Sequence, residues 1–185
     1  MNIYYDTEFL EDGHTIDLIS IGMVADDGRE LYAVAEEIEK DPLHGRICKH
    51  KWLMANVIPH LPLRQTVKQP EAQFSGIFYL DGNSNVVMPK RMIRNMVREF
   101  IQDTPNPELW AWYGAYDHVV YAQLFDRMID LPNGFPKHTN DVKTLYVLDG
   151  NPTAPEQIGT AHNALDDARH VEAMYRFITK GKRIL

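Results

Sequence analysis

NIYYDTEFLEDGHTIDLISIGMVADDGRELYAVAEE, residues 2–37, reads as three strands. Residues 2–9 make the first, and residues 16–37 supply two more joined as a hairpin through the turn at Asp27-Gly28. Alternate side chains of a strand share a face, so Tyr4, Asp6 and Glu8 look to one side while Tyr5, Thr7 and Phe9 take the other. Two carboxylates therefore leave a largely apolar strand together. At about 4 Å and an effective dielectric near 20 their repulsion costs roughly 4 kcal/mol. A cation, a shared proton or water at an exposed edge must offset it.

Downstream the pattern turns mixed and then alternates strand with helix. HKWLMANVIPHL (50–61) has helical spacing cut by Pro59 and Pro62, and the polar stretch 64–75 reads as loop. GIFYLDGNSNVVMP (76–89) predicts a short hairpin around Asp81–Asn85, followed by a helix from Pro89. ELWAWYG (108–114) alternates as a strand, and its Trp110 and Trp112 share a face that suits core or interface. YDHVVYAQLFDRMI (116–129) has helical periodicity, DVKTLYVL (141–148) predicts a shorter helix capped by Asn140 or Asp141, and NALDDARHVEAMYRFITK (163–180) is the clearest helix. Three strands followed by alternating strands and helices indicate an α/β fold. A single domain over 1–185 is expected, with a peripheral insertion near 64–88.

The two long helices carry acids on the wrong side. The apolar row of the last one runs through Leu165, Ala168, Val171, Met174, Tyr175 and Ile178, and four residues before Val171 stands Asp167. Asp166 aligns instead with His170 and Ala173 on the flank. In the preceding long helix Tyr121, Leu124 and Met128 form the inward row, and one turn before Tyr121 stands Asp117. Either aspartate alone is explained by the helix dipole, worth about 0.3–1 kcal/mol. The dipole does not explain Asp6 and Glu8, nor why both helical aspartates face inward. Four converging carboxylates read best together as a two-metal site. His162, five residues before Asp167, has a side chain suited to proton transfer near neutral pH.

Composition narrows the setting. A net charge of −7 opposes non-specific duplex binding through phosphates, except where bound cations invert the local sign. Cys48 is the only cysteine, which excludes an intramolecular disulfide framework and a cysteine-based zinc site. No apolar run is long enough to span a bilayer and MNIYYD lacks the features of a signal peptide, so a cytoplasmic protein beginning near Met1 is expected.

With these residues assembled, the chain resembles the DnaQ-like 3′–5′ exonucleases of the DEDDh type. Their three motifs occur in order as Asp6-Thr7-Glu8, YGAYDH with Asp117, and His162 through Asp167. The likeness is closest to the RNase AS family, in YYDTEFLEDGHTIDLISIGMVADDGRELYAV, ELWAWYGAYDH and HNALDDAR. The resemblance implies an RNase H-like mixed sheet of five strands flanked by helices, with the first strand central. It further implies that Asp6, Glu8, Asp117 and Asp167 hold two Mg²⁺ ions, replaceable by Mn²⁺, and that His162 is the general base. The implied activity is 3′–5′ hydrolysis of single-stranded RNA or a 3′ overhang to nucleoside 5′-monophosphates, with a preference for poly(A), by a homodimer. Glu8, Phe9, His118 and Asn163 are expected to contact nucleotide, and for Phe9 a core role is an equal alternative. A DNA exonuclease of the same superfamily, or an inactive RNA-binding scaffold, remains the rival.

Overall fold

The computed structural model describes residues 1–64 and 76–180. β1 (Asn2–Glu11) and β2 (Ile16–Ala25) form an antiparallel pair, and β3 (Glu30–Ala35) follows through a turn in which Gly28 takes a φ of 85°. Two short helices come next, α1 (Leu43–Lys49) and α2 (Lys51–Asn56). Beyond residues 65–75 lie β4 (Val87–Met88), α3 (Lys90–Gln102), β5 (Glu108–Ala111) and α4 (Ala115–Gln123). β6 (Thr139–Asp141), α5 (Val142–Leu148) and α6 (Ala164–Thr179) complete the described chain.

The sheet runs β4-β3-β2-β1-β5-β6, mixed, with β1 inside it between an antiparallel and a parallel neighbour. This is the RNase H-like α/β arrangement, with six strands where five were expected. The sixth is β4, whose Val87 and Met88 pair parallel with Val34 and Ala35. The expected hairpin over 76–89 does not form for the same reason. Val86 O accepts from Val34 N at 2.8 Å, while Tyr79–Asp81 pair with Pro62–Arg64 through Arg64 N to Tyr79 O at 2.9 Å and Asp81 N to Pro62 O at 2.8 Å. The free edge of β3 thus captures one half of the segment and residues 62–64 the other. The loop predicted over 64–75 lies, from residue 65 on, outside the described residues.

Tyr4 packs with Trp110, Val142, Val171, Met174 and Ile178 on one side of the sheet, whereas Ile3 and Tyr5 join the larger core with Ile93, Val97 and Tyr121 of α3 and α4 on the other. By the alternation of β1, Asp6 and Glu8 lie on the face of Tyr4, beneath α6. α4 is shorter than the periodicity predicted. It ends at Gln123, the chain turns through Asp126 at φ 77°, and Met128 is exposed instead of continuing the inward row. Trp112 lies just past the end of β5, leaving only Trp110 within the strand.

α6 sits where it does because β2 has a glycine under its first turn. A Cβ on Gly22 would fall inside the backbone of Ala164 and Leu165. Gly22 is the ladder partner of Asp6, so the same close approach carries the start of α6 to the acidic part of β1. A bulge then follows, with Glu8 opposite Ser20 but Phe9 opposite Leu18. Such irregularities re-aim side chains at the end of a ladder. Among the described residues no helix is long and apolar enough to cross a membrane.

Candidate active site

β1, α2, the start of α4 and the segment leading into α6 enclose a cavity of about 560 Å³. Asp6, Glu8, Asp117, His162 and Asp167, named from the sequence, all line it, and among the described residues no lysine or arginine does. Phe9 lines it too and stacks on Tyr116 with ring centroids 5.9 Å apart and planes at 20°. The structure does not bring His118 or Asn163 to this wall. His118 turns to the Thr139 hydroxyl at 3.0 Å and packs against Tyr121, because it lies one residue round α4 from Asp117. Asn163 is the cap of α6, its Oδ1 accepting from the N–H groups of Leu165 and Asp166 at 3.2 Å each.

The carboxylates are fixed by short-range partners. Asp117 Oδ1 accepts both the Thr7 N–H, at 2.9 Å, and the Thr7 hydroxyl, at 2.6 Å. Asp167 accepts from the Gln157 amide and, at 2.9 Å, from the His162 N–H. His162 itself has a φ of 65°, in the left-handed region, which places its N–H on Asp167 while its ring Nδ1 stands 3.9 Å from Glu8 Oε1. That ring and the Trp52 ring of α2 meet edge to face at a centroid distance of 4.9 Å. Asp166 points to the flank, paired with Arg169 at 2.8 Å, as the helical spacing predicts.

Burial, then the charges of Asp117, Glu8 and Asp167, push the Asp6 carboxyl well above its ordinary value. Burial, with Asp167 and Asp117, pushes Glu8 up to about 8. Burial raises Asp117 to about 6 against the lowering effect of the Thr7 bonds, and raises Asp167 against its bonds from Gln157 and His162. The rise comes first from burial, with repulsion among the carboxylates adding to it at Asp6 and Glu8. A hard divalent cation fits such a donor set, and Glu8, His162 and Asp167 offer ligand atoms within 4.8 Å of one another.

This field gives a first prediction. In EDTA the protein should lose stability as pH rises from about 5 to about 9. Glu8 is the clearest contributor, because its folded value near 8 lies above the ordinary 4.5. The folded state then keeps a proton that the unfolded chain has released, so the contribution is full below 4.5 and is lost as pH rises through 8. Added Mg²⁺ should flatten the decline in thermal melts. A melting temperature that climbs over this range in EDTA would contradict it.

Sequence reasoning missed Thr7, Trp52, Tyr113, Gln157 and the nearness of His170 to the cavity wall. Thr7 stands between Asp6 and Glu8 in sequence but on the opposite face of β1, where its hydroxyl meets Asp117 of α4. Gln157 lies in an irregular segment with no periodicity to place it. Replacing Trp52 by alanine should lower kcat by roughly tenfold, in line with an aromatic contact of about 0.5–1.5 kcal/mol, with little change in melting temperature. Unchanged kcat would remove Trp52 from any part in holding His162.

Comparison with known proteins agrees in length as well as content. Residues 1–179 match the family described as 3'-5' exoribonuclease Rv2179c-like domain. The chain is 40% identical over 181 residues to 3'-5' exoribonuclease Rv2179c of Mycobacterium tuberculosis strain H37Rv, covering 97% of this chain and 94% of that one. The same figures hold for 3'-5' exoribonuclease MT2234.1 of M. tuberculosis strain CDC 1551. Among solved structures, Pop2p of S. pombe in its Mg²⁺- and Mn²⁺-bound form shares the fold, with a TM-score of 0.54 at 12% identity over 97% of this chain and 83% of that one.

Proposed function

Because the chain belongs to the Rv2179c-like 3′–5′ exoribonuclease family, we propose that its acid-lined cavity is the active site for shortening single-stranded RNA or a 3′ overhang from the 3′ end. The observation that carries this is the meeting of four carboxylates and His162 in one cavity that, among the described residues, is lined by no lysine or arginine. Asp6, Glu8, Asp117 and Asp167 would hold two Mg²⁺ ions, replaceable by Mn²⁺, which when bound supply Lewis-acid stabilisation of the charge that develops at the scissile phosphodiester.

The protein's own groups do the rest. Thr7 holds one oxygen of Asp117 and leaves the other for the cavity. Gln157 and the His162 backbone orient Asp167. The His162 imidazole, half-exposed at the cavity wall and steadied by Trp52, takes a proton from the attacking water. The water oxygen bonds to phosphorus as the bond to the 3′ oxygen of the upstream strand breaks, that oxygen takes a proton from solvent to become the new 3′ hydroxyl, and a nucleoside 5′-monophosphate leaves. Glu8 lines the pocket for the terminal nucleotide, and Phe9, stacked on Tyr116, presents a ring for its base. The reading includes a preference for polyadenylate, a cytoplasmic setting, a homodimer, and one exonuclease domain with a peripheral insertion near 64–88.

The test is a digestion of 5′-labelled oligo(A) RNA and the matching DNA, each with Mg²⁺ or EDTA. A Mg²⁺-dependent ladder shortening RNA from its 3′ end, faint on DNA and lost in Asp167→Asn, is expected. Equal ladders on RNA and DNA would remove RNA selectivity, and a poly(U) strand cut as fast as oligo(A) would remove the base preference. Light scattering should give twice the 21.4 kDa of the chain.

A further inference from the structure

A second cavity, of about 310 Å³, lies one strand and one helical turn away from the first. Phe9 lines the acidic cavity and Leu18 the second one, and the two are ladder partners in the sheet. On α4, Tyr116 lines the acidic cavity and Val120, one turn further, lines the second, about 6 Å along the helix axis. The Phe9–Tyr116 stack therefore forms the rim of the acidic cavity on the side of the second one.

The far wall is α3, which contributes Lys90, Arg91 and Arg94. Three cations on one cavity run against a chain whose net charge is −7. Asp17 and Asp126 also line it, and Asp17 is engaged by Arg46 at 2.9 Å. Among the described residues the side chains of Lys90, Arg91 and Arg94 form no ion pair or hydrogen bond. Arg94 Nε is buried without a partner. Arg94 is only part-buried, and its terminal guanidinium N–H groups, with Lys90 and Arg91, remain able to donate to an acceptor from outside the chain.

We propose that this basic cavity holds backbone phosphates of the RNA strand upstream of the 3′ end seated among the carboxylates. The inference rests on the exoribonuclease reading for the direction of the strand. It gives an acidic protein a local grip on phosphate that does not depend on base, and the Phe9–Tyr116 rim lies between that grip and the reacting end. Longer RNA gains from the grip and a dinucleotide, too short to reach it, does not.

The test uses the full chain carrying Arg91→Gln with Arg94→Gln, substitutions that keep polarity and remove the charge. Anisotropy of a fluorescein-labelled oligo(A) decamer in EDTA, where no RNA is consumed, should show binding about tenfold weaker than wild type, and the slope of log affinity against log salt should fall by about 1.4 for two lost phosphate contacts. With Mg²⁺, the ratio of kcat/KM on the decamer to that on a dinucleotide should fall by a similar factor. Wild-type binding that the substitutions leave intact, or a wild type that does not bind the decamer, overturns the inference. Lost binding in the variant with no wild-type cleavage supports the phosphate grip and overturns the exoribonuclease reading alone. A circular dichroism melt checks that the variant folds, and Arg91→Gln alone, at an exposed position, carries the same test with half the slope change.

Discussion

Replacing His162 with alanine is expected to lower kcat by about 10²- to 10⁴-fold, the usual size of a lost general base. Its ring faces the cavity and its side chain is not consumed in holding any other residue, since it is the backbone N–H that serves Asp167. KM and the Mn²⁺ affinity measured by titration calorimetry should stay near wild type. That second measurement matters because Glu8, His162 and Asp167 are close enough to share an ion. If Mn²⁺ affinity falls along with kcat, His162 is a ligand and not the base. If neither changes, the assignment of the cavity is wrong.

The other large effect belongs to a residue that touches no substrate. Gly22→Ala should destabilise the protein by about 3 kcal/mol, the upper range for overpacking, because the atoms in the way are helix backbone and cannot rotate aside. The folded fraction should also lose activity by about 10²-fold, since a shift of about 1 Å at the start of α6 moves Asp167 relative to β1. Urea titration and turnover per folded molecule measure the two effects separately. Gly82→Ala, at a position open on all sides, is the control and should change neither. A Gly22→Ala protein as stable as wild type would show that α6 is not seated on β2 as described.

The sequence showed the carboxylates because periodicity reports which way a side chain points. Asp6 and Glu8 alternate on β1, and Asp167 stands one turn before Val171, all as the spacing predicts. Asp117 came out of the same test even though α4 stops early and Met128 leaves the row, since the relevant turn lies at its start. What periodicity cannot see is the partner across space. Thr7 to Asp117 and Gln157 to Asp167 join residues 110 and 10 positions apart, and Trp52 reaches His162 from a helix with no pattern in common. His118 and Asn163 stand next to site residues in sequence, yet neighbours on a helix are about 100° apart around its axis, and a cap residue spends its side chain on the helix it starts. The hairpin predicted over 76–89 failed because local turn signals do not reveal which of two distant edges will take each half.

The seating of α6 on β1 and β2 also sets an order of events during synthesis. The first and last of the four carboxylates are 161 positions apart, and the segment from His162 to Asp167 has its docking surface in residues that leave the ribosome first. A nascent chain ending before Asp167 carries three carboxylates and no completed cavity. On the proposed reading, a growing chain therefore has no complete site of its own until Asp167 has been made and α6 has closed onto the sheet.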